Sequence, residues 1–387
     1  MGRPLQMGQP LRTGPLRIGV NALYLIPGAV GGTEIYLWSL LQALAEIDDQ
    51  NQYFVYINSE TAGERMVASP RFHFVDCRVK ASFRPSRILW EQMALPWRLR
   101  RDGIDVLLNP GFTMPILFGG ASATVFHDLQ HKRHPEFFRW FDLPFWNLML
   151  WLAVVRSRAL IAVSEATAAD LTRFYDDRAA RKTVVIPHGV DEEFFRIGER
   201  RRGAGPPEDK YFLTVSTLHP HKNLGRLLEA FRLFREGHPE FRLTIAGLKG
   251  FASERLEVLR SELGLGEVVT FTGWIPRPEL YRLFEGATAY VAPSEFEGFG
   301  MPVSEALAAG IPCACSAIAP FDEVAGGAAA RFDPGSVTAM AAAMEQVACD
   351  EGFRARATVA GPEQARRFSW AAAAGSTLRA LCKIKIM

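Results

Sequence analysis

The stretch YVAPSEFEGFGMPVSEALAAGIP, from Tyr290 to Pro312, decides the fold. Tyr290–Pro293 end an apolar strand, and Gly298 and Gly300 lie in a loop where the backbone must turn freely. Pro302 suits a first helical turn, and Gly310 followed by Pro312 marks its stop. Two carboxylates, Glu297 and Glu305, bracket the loop with seven residues between them. Loop amides and a helix N-terminus favour an anion. Carboxylates repel phosphate, so these two read as hydroxyl acceptors. A ligand carrying both phosphates and sugar hydroxyls satisfies every part of the stretch.

The same order of strand, loop and helix repeats outward from it. On its N-terminal side, Tyr211–Val215 is a strand and Ser216–Lys222 a loop. Asn223 can cap a helix whose apolar face is Leu224, Leu227, Leu228, Phe231 and Phe234. Lys222 stands just before that helix, where its charge and the free amides reinforce each other for phosphate. Two further strands exit at Gly247, followed by Lys249, and at Gly273-Trp274. All these strand ends belong on one edge, facing the opening loop.

Residues 200–209 are polar and rich in glycine and proline, a natural linker, and before them an equivalent α/β unit runs from Arg17. Its first strand, Arg17–Ala22, leads to a loop with Gly28, Gly31 and Gly32, then a helix from about Thr33. These glycines do not fit GxGxxG, which removes support for a dinucleotide and hence for hydride transfer. Gly31 and Gly32 let a ligand approach the backbone, or simply make a tight turn. A later strand ends at His127-Asp128, with Gln130, His131 and His134 close behind. His127 and His131 have the spacing of a metal pair, but the strand exit and Pro135 leave little room for the helix that zinc needs. No metal is expected.

The residues from Arg84 to Arg101 combine Trp90, Met93, Leu95 and Trp97 with Arg84, Arg87, Arg98, Arg100 and Arg101. They fit either peripheral contact with an anionic membrane surface or a core helix with a solvated basic side. The most apolar window, Phe141 to Val155, is interrupted by Asp142, Pro144 and Asn147 and is short of the ~20 residues a spanning helix needs. The first 16 residues read as a loose tail without a signal-peptide core, and Gln6 misses the myristoylation pattern.

With 48% apolar and 22% charged residues over 387 positions, the chain can build about two or three domains. A net charge of +2 gives no reason to expect nucleic acid, and neither an RNA-binding aromatic signature nor zinc-finger spacing occurs. The five cysteines are odd in number and scattered, which makes a reducing, cytoplasmic setting the default. Cys313 and Cys315 read as strand residues on one face.

With these residues placed, the chain resembles the retaining glycosyltransferases of family 4, glycosyl transferase group 1, of the GT-B class, from Arg17 to about Trp370. The most specific match is E-x7-E, Glu297 to Glu305; the runs STLHPHKNLGRLLEAF, FTGWIP and PHGVD agree with it in order. The resemblance implies an α/β fold of two Rossmann-like domains facing across a cleft, with the C-terminal helix crossing back to the first. The domains would be a tail at 1–16, an acceptor domain at 17–195 plus about 371–387, and a donor domain at 196–370. It implies that Glu305 holds ribose hydroxyls, Glu297 contacts the transferred sugar and Lys222 neutralises the diphosphate. Gly273 and Trp274 would lie against the base, and the Gly298, Phe299 and Gly300 amides would line the phosphates. Gly31, Gly32 and His127 would meet sugar and acceptor.

One departure from the family stands out. An arginine usual five or six residues before the lysine is replaced by Thr217 and Ser216, with His221 beside the lysine and Arg226 one helical turn on. The implied activity is transfer of a hexose, mannose first, from a GDP- or UDP-linked donor to a glycan or lipid-linked acceptor in surface polysaccharide biosynthesis. No further cofactor is implied, and no DxD occurs in the chain. A nucleotide-sugar 2-epimerase on the same fold and a non-catalytic sugar-nucleotide binder are the alternatives.

Overall fold

The computed structural model describes residues 14–28, 31–63, 67–204 and 209–386. Most of the N-terminal tail, through residue 13, and the linker residues 205–208 lie outside the described residues. The first unit contains β1 (Arg17–Asn21), α1 (Gly32–Ile47), β2 (Gln52–Ile57), β3 (Phe72–Asp76), α2 (Arg84–Arg101), β4 (Val106–Asn109) and β5 (Ala121–Phe126). It continues through α3 (Gln130–Arg133), α4 (Leu143–Arg156), β6 (Ala159–Ala162), α5 (Glu165–Lys182) and β7 (Thr183–Val185). Its seven strands are all parallel, in the order β3-β2-β1-β4-β5-β6-β7.

After α6 (Glu192–Ala204), the second unit runs β8 (Tyr211–Val215), α7 (Leu224–Arg235), β9 (Arg242–Ala246), α8 (Ser253–Glu262), β10 (Val269–Gly273), α9 (Arg277–Gly286) and β11 (Ala289–Ala292). Then come α10 (Met301–Ala308), β12 (Cys313–Ser316), α11 (Ala319–Ala325), β13 (Ala329–Phe332), α12 (Val337–Cys349), α13 (Glu351–Ala365) and α14 (Trp370–Ile386). Its six parallel strands take the order β10-β9-β8-β11-β12-β13. Every residue of β4, β5, β6, β11 and β12 is buried, because helices cover both faces of a parallel sheet. Cys313 and Cys315 are among them.

In both sheets the strand order reverses beside the first strand, at β1/β4 and at β8/β11, which opens a crevice at the C-terminal strand ends. The two crevices face each other. Helix α14 returns to the first unit, where it packs on α1 and on β4, β5 and β6. Arg158 Nη1 donates to the carbonyl of Ile384 (2.9 Å), and Lys385 pairs with Asp105.

The boundary at 195/196 falls inside α6, and that helix runs on through the start of the expected linker. It packs against α9, α10 and α13 of the second unit. The physical reason is Phe194 and Ile197, both fully buried, with the Phe194 ring edge-on to Tyr281 and Phe284. The run of arginines that follows conceals this anchor in the sequence.

Candidate active site

The loop after β11 is fixed by both of its glycines. Gly300 has φ 106°, a left-handed conformation that a side chain resists, and it is the N-cap of α10. Gly298 serves a different purpose: a Cβ there would lie 1.6 Å from the carbonyl oxygen of His127, so the loop is pressed onto the end of β5. Its own carbonyl accepts from Ser164 Oγ (2.5 Å) and Thr167 Oγ1 (3.3 Å) at the start of α5. Glu323 of α11 accepts the Glu165 and Ala166 amides (both 2.8 Å), a carboxylate at a helix N-terminus. The two units therefore meet at the loop itself.

Beside it, Lys222 Nζ forms an ion pair with Glu297 Oε1 at 2.7 Å, and Ser294 Oγ donates to the same oxygen (2.8 Å). Asp128, from the exit of β5, shares this electrostatic neighbourhood; burial raises its carboxyl above the usual range despite Lys222. Asn223 takes the N-cap position of α7 with φ 55°, but its side chain does not cap the helix. Its amide instead donates to the carbonyls of Pro293 (3.1 Å) and Pro334 (2.8 Å), tying α7 to the exit of β11. Between β8 and this loop lies a small cavity lined by Thr214, Ser216, Tyr290, Ser294 and Glu297. Ser216, at one of the positions of the missing arginine, buries its hydroxyl there without a partner. A buried hydroxyl without a protein partner can bond a water or a ligand oxygen.

Glu305 is 5% exposed and held by a cation that the sequence reading missed. Arg277 Nη1 reaches Glu305 Oε1 (3.3 Å), while Nη2 reaches Asp191 Oδ2 (3.2 Å). Tyr281 donates to the same Asp191 oxygen (2.5 Å). Burial pushes the Glu305 carboxyl up to about 7 against the downward pull of Arg277. Burial alone would weaken the Arg277 charge, but Glu305, Tyr281 and Asp191 together hold its pKa above the ordinary range. The signal was present: Arg277 opens helix α9, where the dipole disfavours a cation unless carboxylates compensate.

The remaining expected residues divide. Trp274 is 59% exposed and its ring lies 3.6 Å from where a Cβ on Gly28 would stand, so it faces the first unit. Gly273 adopts φ 72°, and open space lies beside it and beside Gly31 and Gly32. Phe299 is buried, its ring against His188 and edge-on to Phe368, which leaves its backbone alone for a ligand. His127 is buried with Nε2 against the Pro110 carbonyl (2.9 Å), and burial lowers its pKa to about 4. His131 Nε2 bonds instead to Tyr175 (3.2 Å), so the two histidines do not form a pair.

Neither substitute for the missing arginine supplies a free charge. His221 is neutral, pushed down to about 3 by burial and then by Lys222, and its Nδ1 contacts Gln130 Nε2 (2.8 Å). Arg226 is bound to Glu295 (2.6 Å). The site thus brings together Glu297, Lys222, Gly298 and Gly300. Glu305 lies with Arg277, and His127 touches the loop through its backbone.

Comparison with known proteins agrees over both units. A family model described as Glycosyltransferase Family 4 matches residues 30–194, and one described as Glycosyl transferases group 1 matches residues 196–364. The chain is 28% identical over 293 residues to the O-antigen chain mannosyltransferase B of Escherichia coli, covering 73% of this chain and 76% of that protein. Its fold is similar to that of sucrose-phosphate synthase from Thermosynechococcus elongatus, with TM-score 0.78 at 19% identity over 94% and 98% of the two chains. Anabaena HepE, solved in complex with UDP and glucose, superposes with TM-score 0.71 at 17% identity over 95% and 100%.

Proposed function

Because this chain belongs to the family 4 glycosyltransferases of group 1 and is a glycosyltransferase, we propose that it moves mannose from GDP-mannose, with retention, to a glycan or lipid-linked acceptor in surface polysaccharide assembly. The observation that carries the reading is the Lys222–Glu297 pair at the foot of α7 and α10. It sets one cation and one carboxylate side by side at the switch point. The mannosyltransferase relative supports the choice of sugar. No observation favours the 2-epimerase alternative.

In this scheme the bond from the sugar's anomeric carbon to the diphosphate oxygen breaks as the acceptor oxygen bonds to the same face. The acceptor's proton passes to the departing diphosphate. Lys222 and the amide end of α7 stabilise the charge that grows on that leaving group, an electrostatic contribution set in place before reaction. Ser216 offers its free hydroxyl to a phosphate oxygen where the family's arginine is absent. Glu297 would accept sugar hydroxyls, Glu305 the ribose hydroxyls, and Trp274 would cover the base.

A thermal-shift panel of GDP, UDP, ADP and their sugar conjugates tests this. A ligand at 100 times its Kd stabilises the folded state by about 2.7 kcal/mol. A shift selective for GDP and GDP-mannose is expected. A UDP-selective shift would replace the donor, and no shift with any nucleotide would overturn donor binding.

A further inference from the structure

Helix α2 buries a mixed face, with Leu95 and Leu99 fully covered. Its buried face carries the ion pair Arg87–Glu91 (3.8 Å, both side chains buried), whereas Leu89, Met93 and Trp97, one stripe at i, i+4 and i+8, stand in solvent. Arg87, read with the basic side from sequence, is thus an interior residue. Helix α4 covers Met149, Leu150, Ala153 and Val154 yet leaves Leu148, Trp151 and Val155 exposed, and just before it Trp140 (82%) and Phe141 project outward. An exposed apolar side chain is ordinary when single; stripes on two helices are not.

Tertiary contacts join the two helices into one surface. Residues 111–118 bridge the helices: Gln92 bonds to the Met114 carbonyl and the Ile116 amide (both 2.9 Å), Arg100 to Leu117 (3.3 Å) and Arg156 to Ile116 (3.3 Å). At the other end the Arg84 guanidinium lies 4.2 Å over the Trp146 ring. Leu117, on the bridge, is exposed as well. Around the apolar centre stand Arg100, Arg101, Arg139 and Arg156. Neither helix presents an exposed acid, since α4 has none and the Glu91 of α2 is buried.

We propose that this face docks the enzyme on an anionic lipid bilayer. Exposed tryptophans beside arginines suit the headgroup boundary, where the rings enter and the charges meet anionic lipid. A second copy of the chain would set the same arginines against each other, which disfavours self-association through this face. No helix among the described residues is long and apolar enough to cross a membrane, so the contact is peripheral. The face also ends at the cleft. Three residues before Trp140, the Phe137 ring lies 6.1 Å from that of His221, and His134 lies edge-on to Phe296 of the donor loop. A lipid-linked acceptor lying in the same bilayer would meet the cleft there. That last step rests on the acceptor reading above; docking itself does not.

The test is sedimentation of the full chain with extruded vesicles of neutral phosphatidylcholine or of phosphatidylcholine with phosphatidylglycerol, at low and high salt. Wild type is expected to pellet with the anionic vesicles, less so at high salt, and not with the neutral ones. Losing one basic side chain near the surface lowers partitioning on the order of fivefold, so R101Q/R139Q should lower it on the order of 25-fold. W97Q/W151Q should lower it at least comparably. All four side chains are exposed, so both variants should melt with wild type and keep its nucleotide-dependent thermal shift. Equal binding to both vesicle types, or variants that bind like wild type, would overturn the proposal. So would a dimer that W97Q/W151Q dissociates and lipid does not compete with. The vesicle readout needs no donor, so failure of the donor assignment would leave it standing.

Discussion

Replacing Glu305 by Gln tests the buried pair through its pH dependence. In wild type the carboxyl titrates near 7 when folded, against an ordinary value of 4.5. The folded protein therefore binds more protons than the unfolded chain between these values, and ionised Glu305 costs stability as pH rises through that window. A displacement from 4.5 to about 7 corresponds to about 3 kcal/mol when complete. Gln keeps an oxygen for Arg277 Nη1 and does not titrate, and Arg277 retains Asp191 as counter-ion. The stability of the variant relative to wild type should then rise by roughly 2–3 kcal/mol between pH 5 and pH 8. Urea titrations of both proteins at unit pH steps, followed by tryptophan fluorescence, measure the difference. Asp191, the carboxyl coupled to Glu305, is held below its ordinary range and stays ionised from pH 5 to pH 8, so its titration does not enter the difference. A difference constant to within about 0.5 kcal/mol across the range would refute a carboxyl raised by burial.

Lys222→Ala should lower the rate of sugar transfer on the order of 10²–10³-fold, as expected for removing one preorganised charge from a leaving group. Steady-state kinetics against wild type checks this, and a fall of less than about fivefold would place the diphosphate elsewhere. Gly298→Ala must displace the loop from the His127 carbonyl, at a cost of about 3 kcal/mol or a cleft that opens. Calorimetry and small-angle scattering read the two outcomes. A variant identical to wild type in both would mean that the loop is not seated there.

The repeating order of strand, glycine loop and helix fixes two parallel sheets, because each apolar run is too short and too evenly buried for anything else. The same local logic marks Glu297, Lys222 and Gly300, each of which owes its place to the turn it occupies. Tertiary structure decided the rest. Arg277 meets Glu305 and Asp191 only because α9, α10 and the start of α6 converge, 28 and 86 residues away along the chain. Gly298 reads in sequence as a loop glycine where the backbone turns freely, yet its requirement is steric and comes from His127 in the other unit. Asn223 has the composition of a cap, but its αL backbone turns its amide to two distant carbonyls. Read alone, the α2 stretch fits either a membrane surface or a core helix, and the α4 window shows only that it is too short to span. Periodicity reports that a helix has an apolar stripe; only the packing shows whether that stripe is covered.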